Sequence, residues 1–111
     1  MSIEEAQFRQ RVDSTLRNLM RQLDAIDTQE EMDIKISDGV LQVDFEKGGT
    51  FVLSQQVPVR EMWLSAQRRA WHFRMADGWV ERDTGQELSA VLAERFSQVL
   101  GRVVHLRPPG P

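Results

Sequence analysis

Five carboxylate side chains stand within ten residues of one another, and they are the residues of this chain best suited to chemistry. We call them the acidic cluster: Asp24, Asp27, Glu30, Glu31 and Asp33. Carboxylate oxygens are ligands for hard cations. The Asp-x-Asp-x-Asp-Gly pattern of an EF-hand loop is absent, so the cluster offers ligands without an evident cage. The spacing is unspecific, but it predicts weak cation binding that suits iron or another hard ion better than zinc.

Other reaction chemistries find little support. The chain has no cysteine, which excludes a disulfide, a thiolate metal site, a Cys-ligated iron–sulfur cluster and a cysteine nucleophile. The two histidines, His72 and His105, fall on predicted strands, and no Gly-x-Ser-x-Gly elbow indicates a serine hydrolase. Gly48-Gly49 precedes a strand, so no phosphate-binding loop is predicted. The outer sheet face lacks the aromatic pair of an RNA-binding platform, and no nucleic acid is expected as a partner.

The net charge of −3 is unevenly distributed. Segment 24–46 carries eight acidic residues and one lysine, a net charge of −7, whereas the remaining thirteen basic and nine acidic residues give +4. An acidic pole is suited to a cation or a basic partner at that end of the molecule, but the charge pattern alone favours a plain solvated surface.

The acidic cluster stands where the apolar period changes from 3.6 residues to 2. The stripe from Phe8 to Ile26 predicts an amphipathic helix over about residues 3–27, opened by a capping box of Ser2 and Glu5. If that helix persists further, three acidic residues share one side of it: Asp24, Asp27 and Glu31.

Alternating apolar residues then predict a run of antiparallel strands. The predicted strands are 32–36, 41–46, 50–54, 61–66 and 70–75, with a short one at 79–80. Asp38-Gly39 predicts a tight hairpin turn between the first two. A second helix, capped by Asp83 or Thr84, follows and ends at Gly101.

Trp63 does not fit a merely solvated sheet face. The alternation turns it outward, and a shift of register by one residue would bury it only by exposing Met62 and Leu64. An exposed aromatic on an open face is typical of an anchor for a partner protein. His72 faces the same way, and its position favours a surface residue over a metal ligand.

Helices at both ends of a strand meander predict a two-layer α+β sandwich, with both helices on one face of a mainly antiparallel sheet. The length of 111 residues suits a single domain over residues 1–106. Residues 102–106 are interpreted as an added edge strand, and the proline-rich residues 107–111 as a flexible tail. No apolar run is long enough to span a membrane, and we expect a cytoplasmic protein.

Several strings of the sequence resemble the frataxin family and its bacterial CyaY-type members. The strings are Asp38-Gly39-Val40-Leu41, Phe45-Glu46-Lys47-Gly48, Gln56-Val57-Pro58, Met62-Trp63-Leu64-Ser65, Trp71-His72-Phe73, Trp79 and Asp83-Thr84-Gly85. They occur in order over about residues 8–100, and the stretch from Gln56 to Ser65 is the most specific of them.

The resemblance implies a frataxin-like sandwich and a regulator of iron–sulfur cluster assembly rather than an enzyme. The acidic cluster would bind Fe²⁺ or Fe³⁺ weakly and exchangeably. The open sheet face would dock on a cysteine desulfurase and its scaffold protein through Gln56, Trp63 and His72. A monomer is implied, with iron-driven oligomerisation left open.

The chain departs from the family pattern at several positions. Met20, Arg21 and Ala25 stand where further acids are usual, Ser54 where Asn is common, and Glu61 where Gln is common. Two alternatives therefore stay open. One is a metal-independent interaction module whose acids steer a basic partner, and the other is a ferroxidase.

Overall fold

The computed structural model describes residues 4–109, which form two helices and one six-stranded antiparallel sheet. The helices are α1 (Glu5–Ile26) and α2 (Leu88–Leu100). The strands are β1 (Met32–Ser37), β2 (Val40–Phe45), β3 (Gly49–Gln56), β4 (Glu61–Ala66), β5 (Arg69–Met75) and β6 (Trp79–Glu81). Each strand pairs with the next one along the chain. Within residues 4–109, no helix is long and apolar enough to cross a membrane.

Both helices pack on one face of the sheet, because each presents an apolar stripe to the inward side chains of the strands. Phe8 of α1, Phe96 of α2 and Phe73 of β5 are fully buried in one common core. Phe96 meets Phe45 and Phe51 edge to face, with ring centroids 5.0 Å apart in each pair. The predicted two-layer α+β sandwich is confirmed. We call the side of the sheet that faces away from the helices the open face.

A two-residue turn sets the register of the first hairpin. Asp38 and Gly39 have φ values of 48° and 75°, as a type I′ turn requires. A Cβ atom on Gly39 would lie 2.2 Å from the Gln55 side chain, which would have to move to make room for it. The turn confirms the predicted hairpin, and its register places Asp33 directly opposite Asp44.

Helix α1 ends at Ile26, so Asp24 is the one member of the acidic cluster that lies within it. The carboxylate of Asp27 accepts hydrogen bonds from the backbone N–H groups of Glu31, at 2.7 Å, and Met32, at 3.3 Å. These bonds stabilise a turn into β1 in place of another helical turn. The helix therefore does not persist far enough to place Asp24, Asp27 and Glu31 on one side of it, and the condition attached to that expectation is not met.

The predicted starts of the helices are only partly tested. Ser2 of the predicted capping box lies outside the described residues. The prediction that Asp83 or Thr84 caps the second helix is wrong, because their backbone N–H groups bind the carboxylate of Glu81, at 2.8 and 2.9 Å. Glu87 caps α2 instead, and its side chain accepts hydrogen bonds from two backbone N–H groups of the first turn.

The predicted edge strand at 102–106 is also wrong, since this segment has no strand conformation. The N–H of Val104 donates to Ser97 Oγ, and the N–H of Arg107 donates to Gln22 Oε1, both at 2.8 Å. The side chain of Ser97 in α2 thus takes an N–H group that a strand would have offered to a neighbouring strand, and Gln22 of α1 binds the residue that follows the segment. Arg107 opens the tail predicted to be flexible, whose last two residues lie outside the described part of the chain.

Candidate functional site

Two members of the acidic cluster are already engaged by the fold. Asp27 closes the turn between α1 and β1, as described above. Glu31 is about three-quarters buried and forms an ion pair with Arg102, whose Nη2 lies 3.0 Å from Glu31 Oε1. Arg102 follows α2, so this contact ties the end of the second helix to the start of the sheet. Both carboxylates are therefore less free to bind an ion than the spacing alone predicts.

The other three members of the cluster are exposed. The carboxylates of Asp24 and Glu30 make no hydrogen bond or ion pair with any residue from 4 to 109. Asp33 lies 3.5 Å from Lys35 Nζ, and its side chain is 68% exposed. An ion pair this exposed contributes little to stability, so Asp33 remains available to a cation.

The hairpin of β1 and β2 adds two acids that the sequence analysis did not assign as ligands. Asp44 lies opposite Asp33, and Glu46 follows at the end of β2. A surface depression of about 320 Å³ is lined by Glu30, Glu31, Met32, Asp33, Asp44, Phe45 and Glu46. We call it the acidic depression. The signal was present in the sequence, because the Asp38-Gly39 turn fixes which residues of the two strands stand opposite each other.

Asp44 is ionised in this depression at neutral pH. Hydrogen bonds from the Thr50 hydroxyl and the Gln42 amide, at 2.6 and 3.0 Å, lower its pKa. Burial opposes this lowering, and the charge of Lys35 adds to it. In the region that the structure describes, no three carboxylates of the depression bring ligand atoms within 4.8 Å of one another. An ion here would contact one or two carboxylates and keep much of its water shell, which favours weak and exchangeable binding.

The three predicted partner-binding residues lie on adjacent strands of the open face. Trp63 on β4 stands opposite His72 on β5, and their rings meet edge to face with centroids 4.8 Å apart. Gln56 ends the neighbouring β3, and its side-chain amide donates to Ser54 Oγ at 3.2 Å. Met62 and Leu64 are buried, so the predicted register is confirmed and Trp63 lies half-buried on the open face. The binding role of these residues stays a prediction.

Glu61 organises this face, and the sequence analysis did not identify it as a functional residue. It is only 4% exposed, although it lies on the same face as Trp63. Its carboxylate accepts hydrogen bonds from Trp63 Nε1 at 2.9 Å, Arg82 Nη1 at 3.2 Å and Arg74 Nε at 3.3 Å. Burial raises the pKa of Glu61, but the hydrogen bonds from Trp63 and Arg74 and the charges of both arginines lower it by more. Glu61 thus holds the indole of Trp63 in one orientation.

Comparison with known proteins identifies the fold and family that the sequence strings resemble. A family model described as a frataxin-like domain matches residues 1–102. The iron-sulfur cluster assembly protein CyaY of Paraburkholderia phymatum is 30% identical over 107 residues, which cover 96% of this chain and 100% of that protein. Frataxin from Psychromonas ingrahamii matches with a TM-score of 0.86 at 16% identity, over 93% of this chain and 97% of that one. Trimeric frataxin from the yeast Saccharomyces cerevisiae, complexed with ferrous iron, matches at 0.73 and 22%, over 92% and 90%. At these identities the two solved structures establish the fold alone.

Replacing the buried carboxylate of Glu61 tests its electrostatic role. We expect Glu61→Gln to lower the free energy of unfolding at pH 7 by about 1–3 kcal/mol, because charged hydrogen bonds become neutral ones. Since the folded pKa of Glu61 lies below its ordinary value of 4.5, this stabilisation is present above pH 4.5 and is lost as the pH falls through the folded pKa. Urea denaturation at several pH values should therefore show the wild type and the variant converging in acid.

The exposed Glu94→Gln substitution is the matched control, and it should change the unfolding free energy by less than about 0.5 kcal/mol at every pH. A Glu61→Gln penalty that is constant from pH 7 to pH 3 would contradict the electrostatic account.

Proposed function

The chain belongs to the frataxin-like family, and from this premise we propose that it regulates iron–sulfur cluster assembly by binding iron weakly and by docking on the assembly machinery. The bacterial relative is named for iron-sulfur cluster assembly. In this role the protein is a regulator and not a classical enzyme. Its partners are a cysteine desulfurase and the scaffold protein on which the cluster is built. A cytoplasmic location and a monomeric resting state are proposed together with this function.

The acidic depression is the observation that carries the iron-binding half of the proposal. It brings Glu30, Asp33, Asp44 and Glu46 to one surface, and all four are oxygen ligands of the kind that hard cations prefer. The donor set fits Fe²⁺ or Fe³⁺ that is bound and released, because the carboxylates are exposed or half-exposed and do not form a cage. A yeast frataxin of the same fold has been crystallised with ferrous iron, which supports iron as the proposed ligand.

The composition of α1 moves the proposed iron site toward the sheet. Arg21 and Ala25 are exposed positions of α1 where acids are usual in the family, so the helix side of the site is reduced. Asp24 remains there as an exposed acid. The hairpin acids Asp33 and Asp44 then carry more of the binding than the helix does. The proposal keeps all five members of the acidic cluster: Asp24, Asp27, Glu30, Glu31 and Asp33. Asp27 acts in it chiefly through its charge, and Glu31 is held by its ion pair with Arg102.

The open face carries the docking half of the proposal. Trp63 is a large, half-buried aromatic whose orientation is held by Glu61, and pre-ordered aromatics contribute strongly to protein interfaces. Gln56 and His72 flank it on the adjacent strands. Arg74 and Arg82, which bind Glu61, lie on the same face. They place polar groups around Trp63, as in the polar rim of a protein interface.

A second candidate function is docking without metal, in which the acids only steer a basic partner surface. The engagement of Asp27 by the fold favours it, because its charge still acts at a distance while its oxygens accept backbone hydrogen bonds. On this alternative, neutralising Asp24 and Glu30 slows association in a salt-dependent way and leaves iron retention unchanged.

An anaerobic Fe²⁺ titration followed by NMR tests the iron site. We expect the signals of residues 30–33 and 44–46 to shift or broaden first. The double substitution Asp33→Asn with Asp44→Asn should weaken the apparent affinity at least tenfold, or about 1.4 kcal/mol, because it removes both carboxylates of the hairpin. The double substitution Asp77→Asn with Glu94→Gln removes the same charge elsewhere and should leave the affinity unchanged. Equal losses in the two double variants would contradict a local site.

Substitution of the aromatic anchor tests docking. We expect Trp63→Ala to reduce capture of the cysteine desulfurase from a native extract at least tenfold, because it removes the main apolar contact of the open face. Val103→Ala shortens the side chain of an apolar residue that lies outside this face and is 75% exposed, and this variant should capture the partner as the wild type does. Undiminished capture by Trp63→Ala would overturn the docking proposal.

A further inference from the structure

A second group of side chains of the types that bind metals lies at the β5–β6 edge of the sheet, away from the acidic depression. His72 on β5, Glu81 at the end of β6 and Asp83 in the following turn each bring one ligand atom within 4.8 Å of the others. Among the described residues, this is the one group of three histidine, aspartate or glutamate side chains that converges so closely. We propose that these three residues bind a divalent transition-metal ion through one imidazole nitrogen and two carboxylates.

Glu81 is the fixed ligand of the site. It is 4% exposed, and its carboxylate accepts hydrogen bonds from the backbone N–H groups of His72, Asp83 and Thr84 at 2.8–2.9 Å. Oε1 takes two of these bonds and Oε2 takes one, so Oε2 keeps a lone pair for an ion. Hydrogen bonds of this kind orient a metal ligand before the metal arrives.

His72 supplies the nitrogen ligand. Its imidazole is half-buried, and neither ring nitrogen has a hydrogen-bond partner among residues 4–109. The contact with the Trp63 ring restricts its rotation without occupying those nitrogens. An ordered imidazole with no partner beside an ionised carboxylate is well suited to a transition metal and adds a ligand type that the acidic depression lacks.

Asp83 is the adjustable ligand. Its side chain is 75% exposed, and its ion pair with Arg82 is loose, at 3.9 Å. An ion held at about 2.0–2.2 Å from each ligand needs ligand atoms about 3–3.5 Å apart, so the group has to contract slightly on binding. Asp83 can rotate to do this while Glu81 and the strands stay in place. The remaining coordination positions face solvent and would be filled by water.

The site has a consequence for the open face, because His72 touches Trp63. An ion bound to the imidazole lies next to the docking anchor and changes the charge beside it by two units. The inference concerns residues other than those of the proposed iron site, and it stands even if that iron site fails its test.

NMR of the full-length chain with Zn²⁺ as the probe tests the site, since Zn²⁺ is diamagnetic and binds imidazole and carboxylate ligands. The chain has two histidines, so long-range ¹H–¹⁵N spectra resolve the ring nitrogens of each. We expect saturable shifts for His72 and none of comparable size for the exposed His105. Similar, non-saturating shifts of both rings would overturn the proposal.

Substitutions separate the ligands from their surroundings. Asp83→Asn is the principal variant, because an exposed turn residue can change without loss of the fold, and it should weaken Zn²⁺ binding at least tenfold. His72→Asn should abolish the saturable phase, whereas His105→Asn should leave it intact. Wild-type affinity in Asp83→Asn would overturn the three-ligand site.

The double substitution Asp33→Asn with Asp44→Asn distinguishes this site from the proposed iron site. It should leave the His72 shifts unchanged. Loss of the His72 response in that variant would contradict a separate site, whatever its effect on iron.

Discussion

The burial of one face of the sheet beneath two helices is the constraint on which the rest of the molecule depends. Side chains alternate along every strand, so committing Phe51, Met62 and Phe73 to the core commits their neighbours to the open face. Trp63 and His72 meet on that face because the register that buries Met62 and Phe73 leaves no other place for them. The proposed docking surface is in this sense a consequence of the core, and it is free of helices because both apolar helical stripes lie on the other side.

Carboxylates serve two different purposes in this fold. Three of them accept several hydrogen bonds each. Asp27 holds a turn, Glu61 holds the indole of Trp63 on the open face, and Glu81 holds the edge of the sheet. Asp33 and Asp44 stand opposite each other across the β1–β2 hairpin, where like charges repel and the ammonium group of Lys35, 3.5 and 4.0 Å away, relieves part of the repulsion. The fold thus uses the first three acids to hold its own parts in place and leaves Asp33 and Asp44, which belong to the proposed iron site, exposed or half-exposed.

The sequence predicted the sandwich, the hairpin and the register of Trp63 because each depends on local periodicity or on a turn dipeptide. It failed where a side chain replaced a backbone partner. Glu87 caps α2 in place of Asp83 or Thr84, and Ser97 takes the Val104 N–H group of the segment that was predicted to be an edge strand. The burial of Glu61 depends on Arg74 and Arg82, thirteen and twenty-one residues away, and no local pattern reports such a contact.

The central claim is that the open face, and not the helix face, meets the assembly machinery. Cross-saturation NMR from an unlabelled complex of cysteine desulfurase and scaffold onto the labelled, deuterated chain tests it most directly. The account predicts saturation of the indole N–H of Trp63 and the methyl groups of Val52, with the indole of the buried Trp79 as an internal control that stays unaffected. Strongest saturation on the exposed sides of α1 and α2, with Trp63 unchanged, would contradict it.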